Sequence, residues 1–116
     1  MALRFVCDED AIPLGGRKKF DVDGESVLVF HLEEGLFAIQ SRCPHMFASL
    51  EKGKLIDGHI IQCRIHKARF DIKTGKVIRW AHFPPGIQAL NVIRSQRDLT
   101  TYPVTVEEKR VYVEIS

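Results

Sequence analysis

Two cysteines and two histidines in this chain stand at a spacing that suits a metal centre. Cys43-Pro44-His45 and Cys63-Arg64-Ile65-His66 together read C-x-H-x17-C-x2-H, with residues 46–62 as the spacer. Each short stretch offers one thiolate and one imidazole. A [2Fe–2S] cluster needs two ligands on each iron, and one known arrangement gives two cysteines to one iron and two histidines to the other. Zinc fingers instead tend to place two cysteines in one knuckle and two histidines in another. Mixed pairs fit the two-iron centre better, and a zinc-stabilised binding module stands as the alternative. A lone Cys or His is usually a packing or surface residue; four in this pattern argue for ligation.

Such ligands need rigid supports, and the surrounding sequence supplies strand signals. Short apolar or alternating segments recur at residues 3–7, 18–22, 26–31, 36–40, 59–63, 69–72, 76–78, 102–107 and 110–115. Asp23-Gly24, Glu34-Gly35, Asp57-Gly58, Thr74-Gly75 and Glu108-Lys109 punctuate them as turns. Many short strands with regular turns indicate an all-β sandwich or barrel. The first Cys-His pair follows the strand ending near Gln40, and the second closes the strand 59–63. Helical signal is thin: residues 8–12 suit a single turn, and Ile87, Leu90, Val92 and Ile93 give residues 86–98 a partly helical spacing.

A chain of 116 residues suits one domain, and 45% hydrophobic with 28% charged residues is the balance of an ordinary globular protein. A core of this size yields only a few kcal/mol of net stability, so a bound metal centre would contribute to folding. The formal net charge is +2, and Lys and Arg are interspersed with Asp and Glu along the chain. That argues against nucleic acid as a partner. No apolar run is long enough to cross a bilayer, and the first residues lack the pattern of a secretory signal. A cytoplasmic protein with no membrane partner is expected. Cys7, Cys43 and Cys63 are an odd number and suggest no disulfide framework.

With the loops and strands in view, the chain resembles the Rieske family, and closely the soluble ferredoxins of bacterial ring-hydroxylating oxygenase systems. Segments 4–7, 27–30, 36–40, 57–63, 70–76 and 102–113 look like family segments, so the likeness covers nearly the whole chain. The resemblance implies a Rieske fold: one domain over 1–116, an antiparallel β-sandwich or barrel with a small cluster-binding subdomain, approximately 41–83, formed by the two ligand loops. It implies that Cys43 and Cys63 bind the inner iron of a Rieske-type [2Fe–2S] cluster, and His45 and His66 the outer one. It further implies an electron carrier with no catalysis of its own, a monomer that takes electrons from a flavin-dependent reductase and gives them to a terminal oxygenase. A small Rieske subunit of a larger reductase or hydroxylase is the alternative within electron transfer.

The departures from the family carry information. High-potential Rieske proteins add a cysteine to each loop and bridge the two; the corresponding places here are Ala48 and Ile65. Those proteins also place a Ser and a Tyr whose hydroxyls donate to cluster sulfurs, where this chain has Ala68 and Phe70, neither with a side-chain donor. Fewer donors leave the reduced cluster less stabilised, which implies a low potential. Pro84 and Pro85 look like the family's proline segment, and residues 86–99 are an addition read as surface decoration.

The remaining candidates receive plainer readings. Cys7 reads as a buried small hydrophobe. His31 and His59 read as strand residues, and His82 as a surface one. Trp80 is expected to pack against the cluster loops. Met46 and Phe47, on a loop tip, are candidates for a partner contact. Arg64, Lys67 and Arg69 flank His66 and make that end positive, as a solvated face or a docking face for an acidic partner. No nucleophile–base pair, nucleotide loop or paired carboxylate stands out.

Overall fold

One strand organises the molecule. Val27-Leu28-Val29-Phe30 is a continuous apolar run, and all four side chains are fully buried. A strand apolar on successive residues must be covered on both faces, because its side chains alternate across the sheet. Leu28 and Phe30 enter one buried cluster, while Val27 and Val29 enter another. The strand is therefore the middle of a three-layer arrangement.

The computed structural model describes residues 2–43, 49–64, 67–79 and 98–115. Among these, the order is β1 (Ala2–Asp8), a 3-10 turn (Glu9–Ala11), β2 (Arg17–Val22), β3 (Glu25–Leu32), β4 (Gly35–Gln40), β5 (Lys54–Ile56), β6 (Ile60–Gln62), β7 (Arg69–Asp71), β8 (Val77–Arg79), β9 (Thr101–Tyr102), β10 (Val104–Glu107) and β11 (Arg110–Ile115). They form an outer sheet β1-β11-β10, a middle sheet β2-β3-β4-β9 and a small sheet β5-β6-β7-β8. Every described ladder is antiparallel, so the expected all-β sandwich is what the chain forms. The single turn expected at residues 8–12 is the 3-10 turn.

The outer sheet packs Cys7, Val111, Val113 and Ile115 against Val22, Val27, Val29 and Ala38 of the middle sheet. Burial pushes the Cys7 thiol above its ordinary pKa, with Lys18 opposing, so it is a neutral packing residue as its sequence context indicated. The small sheet packs Ile61, Phe70 and Ile72 against Leu28, Phe30, Leu32 and Ile39 on the opposite face. Cys43, Cys63, Leu50, Ala68 and Leu99 belong to this second cluster.

Two strands depart from the sequence pattern. β5 has only three residues, with adjacent Leu55 and Ile56 in place of alternation, so periodicity alone does not reveal it. The expected strand over 102–107 divides at Pro103, which has no N–H to give to a ladder. β9 then pairs with β4, while β10 pairs with β11 in the outer sheet. Residues 86–97 of the 86–99 addition lie outside the described residues. Its far end is anchored: Leu99 is buried, its N–H donates to the Gly75 carbonyl at 2.7 Å, and the Asp98 carboxylate accepts the Val77 N–H at 2.9 Å.

Gly75 makes that anchor possible. Its φ is +79°, and a Cβ there would collide with the Leu99 carbonyl oxygen and meet Thr101 Cγ2 at 3.0 Å. Gly75→Ala is expected to cost about 2–4 kcal/mol, combining left-handed strain with overpacking. Gly24→Ala has a similar φ and open space around its Cβ, and should cost only the strain, about 1 kcal/mol. The urea midpoints of the two variants test the difference; equal shifts would remove the close-contact argument.

Candidate metal centre

The two cysteines of the spaced motif occupy equivalent places. In the first loop an isolated antiparallel bridge pairs Arg42 with Ser49 and closes residues 43–48. In the second, the last ladder pair of β6 and β7, Gln62 with Arg69, closes residues 63–68. The two loops have the same length, and each begins with its cysteine. Cys43 is 1% exposed and Cys63 2% exposed, and both sit in the cluster between the middle and small sheets. His45 and His66 lie outside the described residues, as do Met46, Phe47, Ala48, Ile65, Trp80 and His82.

Backbone hydrogen bonds hold each loop base. In the first, the Leu50 N–H donates to the Ser41 carbonyl at 2.7 Å, and the Ser41 hydroxyl donates to the Ser26 hydroxyl at 2.7 Å. Gln40 ties this base to the chain beyond residue 97. Its side-chain amide donates to the Arg42 carbonyl at 2.6 Å, and its side-chain oxygen accepts the Thr100 N–H at 2.7 Å. In the second loop the Cys63 N–H donates to the Ala68 carbonyl at 2.8 Å, and the Lys67 N–H donates to the Cys63 carbonyl at 3.0 Å. Lys67 takes a φ of +59°, the left-handed conformation that turns the chain back into β7. The Arg69 guanidinium donates to the Gln62 side-chain oxygen at 2.7 Å and links the two strands at the loop mouth.

Two residues that the sequence did not single out join the loops. Arg17 of β2 is half-buried and stacks over the Phe30 ring, 5.0 Å from its centroid. Its Nη1 donates to the Gly53 carbonyl at 2.7 Å and lies 3.4 and 3.3 Å from the carbonyls of Leu50 and Glu51. One guanidinium thus satisfies three carbonyls of the turn that leaves the first loop. Gly53 then lies against β6, where an added Cβ would meet the Gln62 carbonyl oxygen at 2.7 Å. The only signals in the sequence were a basic triplet opening β2 and a glycine between Lys52 and Lys54.

The described half of the donor set fits a buried iron. Two thiols, neither in a disulfide, are enclosed in one apolar cluster at the mouths of two matched loops. Ala68 and Phe70 are fully buried in that same cluster, and neither side chain carries a hydroxyl donor. The two strand histidines are elsewhere. The His31 Nδ1 lies 2.7 Å from the Ile12 carbonyl oxygen. The His59 Nδ1 is buried at the β5–β6 turn, 3.6 Å from an Asp71 carboxylate oxygen. Among the described residues no group of three or more His, Cys, Asp or Glu forms a further metal site.

Comparison with known proteins gives a consistent picture. The model of the family described as "Rieske [2Fe-2S] domain" matches residues 3–103. The 3-phenylpropionate/cinnamic acid dioxygenase ferredoxin subunit of Photorhabdus laumondii is 31% identical over 116 residues, covering 100% of this chain and 97% of the relative. The ferredoxin of carbazole 1,9a-dioxygenase from Nocardioides aromaticivorans IC177 superposes with a TM-score of 0.77 at 25% identity, covering 97% of each chain. A chain from a complex of reduced oxygenase and oxidised ferredoxin in carbazole 1,9a-dioxygenase superposes with a TM-score of 0.75 at 26% identity, covering 96% of this chain and 100% of that one.

Proposed function

Because this chain belongs to the Rieske [2Fe–2S] domain family, we propose that it is the ferredoxin of an aromatic-ring-hydroxylating oxygenase system, a one-electron carrier between a flavin-dependent reductase and a terminal oxygenase. The observation that carries the reading is the pair of matched loops, each opening on a buried cysteine. Cys43 and Cys63 would hold the inner iron of a Rieske-type [2Fe–2S] cluster, and His45 and His66 the outer one. When bound, the cluster supplies one-electron uptake and release.

The protein's own residues do the rest. The small sheet and β3 enclose both thiols in a dry cluster, which protects them from solvent and oxidation. Arg17, Gln40 and the Gln62–Arg69 pair fix the loop bases. The reading extends to one domain over 1–116, a monomer working in the cytoplasm.

The matching positions Ala68 and Phe70 set a direction for the potential. With no side-chain hydroxyl to donate, the reduced cluster is less stabilised, and the midpoint is expected at the low end of the Rieske range, about −150 mV. Protein-film voltammetry tests this. A midpoint well above zero would contradict the donor role, since an oxygenase system driven by a flavin reductase needs a reducing carrier.

A further inference from the structure

The charges interspersed along the chain separate when counted by segment, with Lys73 paired to Glu34 and Lys76 4.0 Å from Asp98 across the segments. Residues 41–83, which hold both cysteine loops and the small sheet, contain nine Lys and Arg against three Asp and Glu, a net of +6. Residues 1–40 contain four against eight, a net of −4, and residues 84–116 are balanced. Around the loops the depletion is stronger still. Glu51 is the sole carboxylate in 42–56, and 58–70 contain none.

The fold gathers these bases at one rim. Arg42 precedes Cys43, Arg64 follows Cys63 and Lys67 ends the second loop; all three are exposed. Exposed Lys52 and Lys54 lead into β5. The register places Lys54 opposite Gln62, Gln62 opposite Arg69, and Arg69 opposite Arg79, so the row of the small sheet at the second loop reads Lys-Gln-Arg-Arg across four strands. Within this row Arg69 is held by the Gln62 side chain, and exposed Lys54 continues the positive charge beside it. The acidic residues lie elsewhere. Asp8, Glu9, Asp10 and Glu108 line one groove with Lys109 and Arg110 on the outer sheet, beyond the opposite face of β3. Asp57 turns at the end of β6 away from the second loop.

We propose that the rim around the two cysteine loops docks an acidic protein surface, and that the opposed charges of the outer sheet help turn that rim toward it. The inference rests on the electron-carrier reading, which supplies the reason for a partner there. A cluster held by two thiolates and two neutral imidazoles has no net charge when oxidised and leaves the positive field in place. A charge separation of this kind raises association rates and makes them salt-dependent, and it selects a partner whose docking face carries carboxylates.

The test uses the holo-protein, reduced with dithionite, desalted and mixed in a stopped flow with ferricyanide or with tris(phenanthroline)cobalt(III). Each oxidant takes one electron and no bond is made or broken. Raising ionic strength from about 0.01 to about 0.15 M shortens the Debye length from about 30 to about 8 Å. Across that range the rate with anionic ferricyanide should fall several-fold and the rate with the cationic cobalt complex should rise. At low salt, poly-L-aspartate should slow the ferricyanide reaction. Arg64→Glu with Lys67→Glu should reverse both slopes and end the poly-aspartate effect. Lys52→Glu with Lys54→Glu, outside the loops, should act in the same direction. Lys109→Glu with Arg110→Glu makes the same change in net charge on the outer sheet and should leave the slopes as in the unmodified protein. The inference is overturned if that outer-sheet pair acts as strongly as the rim pair, if the ferricyanide slope is flat, or if a DNA duplex of equal charge protects better than poly-aspartate. A preparation that binds no iron gives no reoxidation signal and overturns the carrier reading itself.

Discussion

Cys63→Ser is expected to give a protein with no visible absorption, no bound iron and no EPR signal after reduction, and Cys43→Ser the same. Serine is nearly isosteric, so the loop base, with its Cys63 N–H to Ala68 and Lys67 N–H to Cys63 bonds, has no steric reason to change. What is lost is the ligand. A serine hydroxyl does not ionise near neutral pH as a thiol beside iron does, and it binds iron far less well than thiolate sulfur. Both thiols are almost fully buried, so water has little access to take the vacant coordination position. Cys7→Ser is the matched control. Cys7 lies in the other buried cluster, across β3, and that variant should keep its full iron content. Iron and sulfide analysis of the three variants decides it; a Cys63→Ser protein with a full complement of iron would remove Cys63 from the ligand set.

The second large effect is structural. Phe70 is fully buried between β3 and the small sheet, in the cluster that holds both cysteines. Truncation to alanine removes most of a large side chain from the cluster that also holds Phe30, Ile61 and Ile72, and such changes cost about 3–5 kcal/mol. Against a total stability of about 5–15 kcal/mol, that is about a fifth or more of what holds the domain together. Phe70→Ala is therefore expected to lower the denaturant midpoint sharply and to lose its cluster well before the unmodified protein does on heating. Phe70→Leu retains most of the apolar volume and should lose less than half as much. If Phe70→Ala unfolds at an unchanged midpoint, the small sheet is not held by this cluster.

The strands that carry the centre were legible because they obey local rules. Asp23-Gly24 closes β2 onto β3 with both residues at positive φ, and the apolar run within 26–31 is the strand the whole sandwich is built on. Cys43 and Cys63 stand at strand ends as their flanking turns and apolar runs indicated. What the sequence hid depends on long-range contact. β5 is too short to have a period, and Pro103 hands the chain from the middle sheet to the outer one within a single apolar segment. Arg17 contacts carbonyls more than thirty positions away, which no local pattern encodes. The charge separation was countable from the start, yet it had no meaning until the register aligned Lys54, Arg69 and Arg79 in one row.

The two-cysteine, two-histidine ligation is the claim on which everything else depends. The visible spectrum and the low-temperature EPR spectrum of the dithionite-reduced protein test it directly. A red-brown protein whose average g falls below that of an all-cysteine [2Fe–2S] cluster is the expected result, because two imidazoles would replace two thiolates on one iron. A colourless, EPR-silent protein containing zinc would contradict it and make the four residues a structural clamp.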